Sequence, residues 1–216
     1  MAMALHPYWQ KKAQAEIDRV CGDRFPTIDD FASLPTVRAC LKETIRWRSG
    51  VPLGVPHQAE RDDEYRGVTI KKDTIILACE WSINRVPEKY PDAESFRPDR
   101  YLEPGWPTYQ EPLTKYPNFR DGKSMHTFGW GRRTCLGKDI VDDEMFVTGA
   151  SVLWGFNMSQ KICPRTGEPV SIDTQSTNSH VILEPSPFYM DFKPRSAVKA
   201  KLIMDNYSSV QPILKV

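Results

Sequence analysis

The residues with the clearest chemical purpose lie together in Phe128-Gly-Trp-Gly-Arg-Arg-Thr-Cys135-Leu-Gly137. A sulfur that binds a metal must be kept as thiolate. An apolar, helix-like run follows Cys135, and the N–H groups at a helix N-terminus favour an anion. Arg132 and Arg133 add positive charge. Gly129, Gly131 and Gly137 let the backbone approach a flat ligand and take turns closed to other residues. Phe128 is placed to cover the sulfur and exclude water, which shifts a metal's redox potential. A thiolate ligand also donates electron density to its metal and promotes O–O cleavage. A Gly-rich turn before a helix, with a buried cysteine, accounts for part of this pattern. The whole pattern F-x-x-G-x-R-x-C-x-G fixes five positions, and average residue usage gives it by chance on the order of once in ten thousand such chains or more rarely.

Other candidates are weaker on their own. Cys21, Cys40, Cys79 and Cys163 lack such neighbours and read as small buried residues. No two cysteines make C-x-x-C, which argues against a zinc ribbon or a thioredoxin-type site. Their odd number and irregular spacing argue against a disulfide framework. Glu43 and Arg46 are three apart on a helical stretch, so their side chains can meet. Taken alone, such a pair is a solvated bridge contributing about 0.2–0.5 kcal/mol. His57, in V-P-H, is by itself a polar loop residue, and His6, His126 and His180 read as structural or incidental.

The elements that must position these residues are legible in outline. Trp9, Ala13, Ile17 and Val20 share one face, which predicts a helix over 7–21, opened by Pro7 and stopped by Gly22. Thr27 before Asp29 and Asp30 reads as the cap of a short helix. Val37, Leu41 and Ile45 predict a helix over 35–48, ended by Gly50 and Pro52. Strands are predicted at 53–59 and 68–70, flanking the polar turn R-D-D-E, and at 74–79. Residues 86–127 show little periodicity, as segments do that are functional or packed on another part. Residues 136–154 predict a helix buried on most sides. The tail, 157–216, reads as short strands, with 181–183 and 188–192 flanking E-P-S-P.

Composition narrows the class. The 216 residues carry 29 Lys plus Arg against 28 Asp plus Glu, which gives no electrostatic case for nucleic acid or for broad adhesion to an anionic membrane. Hydrophobic residues at 40% and aromatics at 11% predict a folded chain, and 18 prolines predict many turns. No apolar run approaches the roughly 18–20 residues that span a bilayer. The N-terminus lacks a signal-peptide pattern, so the chain as written reads as soluble or peripheral.

The cysteine segment resembles the haem-binding loop of the cytochrome P-450 family at all five fixed positions. K-E-T-I-R resembles the family's E-x-x-R helix. F-R-P-D-R resembles its P-E-R motif, with Asp99 in place of the usual Glu, and the motifs occur in the family's order. H-P-Y-W-Q-K-K, W-S-I-N-R-V-P-E-K-Y-P and F-K-P-R-S extend the likeness through nearly the whole chain, in a style closest to fungal members.

The resemblance implies a mainly α fold with small β-sheets, of which this chain is the C-terminal half. It implies haem b with Cys135 as proximal iron ligand, and Arg133 and His57 on propionates. Phe128, Gly129, Gly131 and Gly137 would frame the cofactor. Glu43, Arg46 and Arg100 would form a buried charge triad. Val51, Leu53, Val181, Ile182 and Leu183 would line the pocket of a small hydrophobic substrate. Arg132 and Lys138 would face an NADPH-dependent cytochrome P-450 reductase, with O2 as co-substrate. For the intact protein it implies an anchor in the endoplasmic reticulum membrane. The N-terminal helices and the central helix with its acid–Thr pair are not found here, so no catalytic residue is assigned. Two expectations follow: part of a monooxygenase, or a truncated, non-catalytic haem-binding remnant.

Overall fold

The helices form where apolar spacing predicts them. The computed structural model describes residues 1–110, 126–178 and 180–210. A short helix, α1 (Ala2–Leu5), leads into α2 (Pro7–Cys21), which has Pro7 in its first turn and ends where Gly22 turns to φ +58°. Ala13 and Ile17 are wholly buried, Trp9 is largely so, and Val20 is half-buried. A 3-10 turn (Ile28–Ser33) starts with a reciprocal cap between Thr27 and Asp30. Arg24 adds a two-pronged bond to Asp30, at 2.6 and 2.7 Å. Those bonds hold the Asp30 carboxyl far below the usual carboxylate range.

Helix α3 (Pro35–Trp47) packs against α2 and against α5 (Lys138–Gly155). Val37, Leu34, Phe146, Ala150, Leu153 and Trp154 join the α2 residues in one core. Each large apolar side chain buried there contributes about 1.5–3 kcal/mol. Gly149 marks the closest approach of α5 to α3: a Cβ there would lie 2.6 Å from Leu41 Cδ2.

Among the described residues the strands form three two-stranded antiparallel sheets. In the first, β1 (His57–Gln58) pairs with β4 (Ile75–Ile76), His57 opposite Ile76. In the second, β2 (Asp63–Tyr65) pairs with β3 (Val68–Ile70). In the third, β5 (Phe156–Gln160) follows α5 directly and pairs with β6 (Met190–Pro194). Between β4 and residue 110, α4 (Glu80–Ile83) and a 3-10 turn (Pro98–Tyr101) interrupt a segment of turns and irregular backbone. No helix among the described residues is long and apolar enough to cross a membrane.

Several expectations need correction. The polar stretch R-D-D-E is not the turn of the second hairpin. Asp63 and Glu64 belong to β2, and the chain reverses at Arg66 and Gly67, with φ +51° and +80°. A hairpin of this tightness needs positive φ at both central residues, and that requirement outweighs the polarity of R-D-D-E. The strand predicted over 53–59 shrinks to His57–Gln58, because Gly54 turns the backbone to φ +69° beside Ala78. The tail is not all strand: α6 (Ala197–Val210) closes it, from a run rich in the helix formers Ala, Lys, Leu and Met. Leu202 and Ile203 of α6 pack on the core. The start of the stretch predicted as a buried helix is instead largely open: Leu136, just before α5, is 98% accessible and Ile140, in its first turn, 72%. Cys79 and Cys163 are only partly buried, unlike Cys21 and Cys40.

Candidate functional site

Cys135 sits in a loop held by backbone bonds across its base. Its N–H donates to Phe128 O at 2.8 Å, the Thr134 hydroxyl donates to the same oxygen at 3.2 Å, and Gly129 N–H donates to His126 O at 2.8 Å. Gly129 and Gly131 take φ +68° and +66°, so L side chains would strain the loop there. Gly137 differs from expectation: at φ −87° it is the N-cap of α5 in a conformation open to any residue. Arg132 and Arg133 lie in a short 3-10 turn (Gly131–Arg133), three and two residues before the cysteine. Cys135 is a free thiol with an exposed side chain, and Arg133 and Arg132 are exposed beside it.

Behind the loop lies the charge triad, and it is dry. Glu43, Arg46 and Arg100 are each 0% exposed. Arg46 grips both oxygens of Glu43, at 2.8 Å each. Arg100 Nε donates to Glu43 Oε1 at 3.1 Å, and the backbone N–H of Arg97 donates to that oxygen at 2.8 Å. Further guanidinium hydrogens go to carbonyl oxygens: Arg46 to Asn84 and Ser95, Arg100 to Pro91, Asp92 and Ser95. Tyr90 packs over Arg46, and burial pushes its phenol up to about 12. Asp99 stands outside the triad and pairs with Arg97 at 2.6 Å. Desolvating three charges costs more than a surface pair does, so the triad's contribution is placement of the 86–101 segment on α3.

The apolar candidates split into two segments that the fold brings together. Leu183 N–H donates to Gly50 O at 2.7 Å, which sets 181–183 against 50–53. Val51 and Leu183 are half-buried, while Leu53, Val181 and Ile182 are exposed. His57 is exposed on β1. Its partner Ile76 and Arg132 line one surface cavity of about 330 Å³, together with Ala59, Glu60, Arg61, Asp63 and Ile70. The cavity thus lies between Ile76 of β4, the residues that follow β1 and Arg132, while His57 and Arg133 are not among its lining residues.

This arrangement, a free thiol in a Gly-rich loop tied to an E-x-x-R helix, agrees with the comparison against known families: residues 1–192 match the cytochrome P-450 family model. The chain belongs to the cytochrome P-450 family. Fungal proteins are among its curated relatives. The cytochrome P-450 monooxygenase virE of Hypocrea virens is 35% identical over 213 residues, covering 99% of this chain and 38% of its own length. The cytochrome P-450 monooxygenase COX2 of Coprinopsis cinerea is 39% identical over 213 residues, covering 98% of this chain and 38% of its own length. The chain thus spans less than two fifths of these relatives. Among solved structures, a zebra fish cytochrome P-450 with abiraterone aligns at TM-score 0.72 and 28% identity, covering 89% of this chain and 41% of that one. The fold is therefore the mainly helical cytochrome P-450 fold with small antiparallel sheets, over part of its length.

Some residues of the cytochrome P-450 scaffold escaped sequence reading. Buried Ser49, Glu80 and Asn84 and half-buried Thr127 form a polar network beside the triad. The only sequence signal is an acidic residue, Glu80, straight after the apolar run I-I-L-A-C. Asn84, four residues on along the same helix, is within reach by spacing, but nothing local points to Ser49 or Thr127, which come from two other segments.

Proposed function

We propose that residues 1–216 are the cysteine-bearing part of a haem-thiolate monooxygenase, with Cys135 as the axial ligand. The family implies haem, and haem supplies the redox-active metal that such a reaction needs. The donor set fits it. Cys135 is free and exposed. Arg133 and His57 are exposed, and among the described residues neither has a side-chain hydrogen bond or ion pair, so both remain available to carboxylates. A bare metal ion would need several converging side chains. Among the described residues no group of three His, Cys, Asp or Glu converges to hold one. One sulfur beside Gly-rich backbone suits a macrocycle that brings its own remaining ligands. The observation that carries this reading is the free Cys135 thiol in a loop of the family's pattern, backed by a fully buried Glu43–Arg46–Arg100 triad.

The other roles follow as parts of the same reading. Val51, Leu53, Val181, Ile182 and Leu183 contact a small hydrophobic substrate, since an apolar lining binds apolar surface. Arg132 and Lys138 present positive charge to an NADPH-dependent reductase. O2 is the co-substrate, and the intact protein sits at the endoplasmic reticulum membrane. The exposure of Leu136 and Ile140 favours a second reading for the chain by itself, a haem-binding remnant without turnover.

Haem titration of the chain followed by the ferrous carbon monoxide spectrum tests the assignment. The wild type shows the thiolate-specific red-shifted band, and Cys135→Ala and Cys135→His lose it. Retention of that band in Cys135→Ala would sink the ligand assignment. Product formation with a reductase and O2 separates the two readings.

A further inference from the structure

Glu80 opens α4, and its side chain is only 3% exposed. Three neutral donors from three segments meet its carboxyl group. The Ser49 hydroxyl, just past the end of α3, donates to Oε2 at 2.8 Å. The Asn84 amide donates to Oε1 at 3.1 Å. The Thr127 hydroxyl, one residue before Phe128, donates to the same Oε1. The network continues in two directions. Asn84 is 1% exposed, and its backbone oxygen accepts from Arg46 Nη1 at 3.1 Å, which joins Glu80 to the charge triad. Ser49 Oγ accepts from Val51 N–H at 3.2 Å, and Trp81 N–H of α4 donates to Pro52 O at 2.9 Å. Those bonds fix the segment that carries Val51 and Leu53.

A buried carboxyl group is costly unless its oxygens are matched by donors. Its retention at a junction of three segments therefore has a geometric use. Thr127 is followed at once by the loop whose base is closed by the Gly129–His126 and Cys135–Phe128 bonds. Seating Thr127 seats that base. No other side-chain hydrogen bond in the described residues ties the 126–137 stretch to α3 or α4.

We infer that Glu80 is a positioning residue: it ties the start of the cysteine loop to the end of α3, so that the sulfur and the 49–53 segment keep a fixed relation. That the loop so seated ligates haem rests on the function proposed above. Glu80 touches neither cofactor nor substrate in this scheme. It acts through Thr127 and Ser49.

The test uses two readouts on the whole chain. The first is amide hydrogen exchange, which needs no haem, read on peptides covering 126–137 and, as controls, on α2 and α5. Thr127→Val removes only the tether to the loop. Losing a hydrogen bond to a buried carboxylate should speed exchange at Gly129 and Cys135 on the order of tenfold. Glu80→Ala should do the same, and Glu80→Gln, which keeps an acceptor for Asn84 and Thr127, should restore the slow rate. The second readout is the ferrous carbon monoxide spectrum after haem loading. Thr127→Val and Glu80→Ala should lower the fraction with the thiolate band, and Glu80→Gln should recover it. Unchanged exchange and an unchanged band in Thr127→Val overturn the inference. Equal acceleration in α2 and α5 also overturns it, because Glu80 would then serve general stability. Faster loop exchange in variants of a wild type that shows no thiolate band keeps the tether and overturns the haem reading instead.

Discussion

Glu43, Arg46 and Arg100 lie at 0% exposure with every charged group matched, whereas Cys135, Arg132 and Arg133 face solvent on a loop stiffened mainly by its own backbone. Both regions carry the family's pattern, yet they are built in opposite ways. The triad gains its geometry by excluding water: charges in a dry site have few alternative partners, so the 86–101 segment has one place to go. The loop keeps its reactive groups unmatched, which costs little while water still reaches them. The difference teaches that this chain organises the support of its site without closing the site. Whatever covers the sulfur meets a preformed cradle of positive-φ glycines.

The contrast breaks first at the triad. Glu43→Ala leaves two buried guanidinium groups facing each other without a carboxylate, and a loss of about 3–5 kcal/mol is expected. Urea or thermal unfolding measures it, and haem incorporation should fail with it. A variant as stable as the wild type would show that the pair behaves like a surface bridge.

Exposed apolar surface should produce the next largest effect. Leu136, Ile140, Val181 and Ile182 are all open to water. Residues 1–216 expressed alone should self-associate and bind an apolar dye, and should give no coupled product with a reductase. Size-exclusion chromatography with light scattering reads the first, and an O2-dependent product assay the second. A soluble monomer with full turnover would overturn the expectation.

Cys135 should give the mirror image of Glu43. Cys135→Ala removes an exposed side chain, so stability should change by less than about 0.5 kcal/mol. The thiolate band should nevertheless vanish. Unfolding curves and the carbon monoxide spectrum measured on one sample check both halves. A destabilisation as large as that of Glu43→Ala would erase the contrast between scaffold and ligand.

The smallest expected effect is on pH. His6 stacks on Phe96 at 4.7 Å, its Nε2 is buried without a partner, and burial lowers its pKa. The unfolded chain then takes up the proton at a higher pH than the folded one. Stability is thus full above the ordinary histidine value of about 6.5 and falls as pH drops below it. His126 has the same sign, lowered by burial and by Lys89 against an opposing Glu80. The urea midpoint should drop between about pH 7.5 and about pH 5.5, and His6→Phe should reduce that drop. An unchanged drop in His6→Phe would assign the dependence to other groups.

The cysteine loop was legible because its constraints are local: one sulfur, a glycine where the backbone must turn, and arginine nearby within ten consecutive positions. Helices α2 and α3 were legible from spacing and caps, and Gly22 ends α2 where expected. Reading failed where a longer-range partner decides. In α3 the apolar stripe through Leu41 and Ile45 is only half-buried, while Lys42, Glu43 and Arg46 on the other side are buried. The spacing showed which face suits an apolar neighbour, but not that the irregular 86–101 segment would cover the charged face as well. In the tail, short β-branched runs masked the helix formers of α6.

The sequence by itself determined the family, the order of the motifs and which cysteine has Gly-rich, basic neighbours, because each depends on residue type at fixed local spacing. Tertiary structure alone decided that Glu43 is wholly buried between two arginines, that Glu80 reaches Ser49, Asn84 and Thr127, and that Leu183 lies against Gly50. Apart from Glu43–Arg46 and Glu80–Asn84, which are neighbours along their own helices, those contacts join residues far apart in the chain. Whether a charge is screened by water or matched in a dry site depends on which distant segments pack around it, and spacing along one segment carries no record of that.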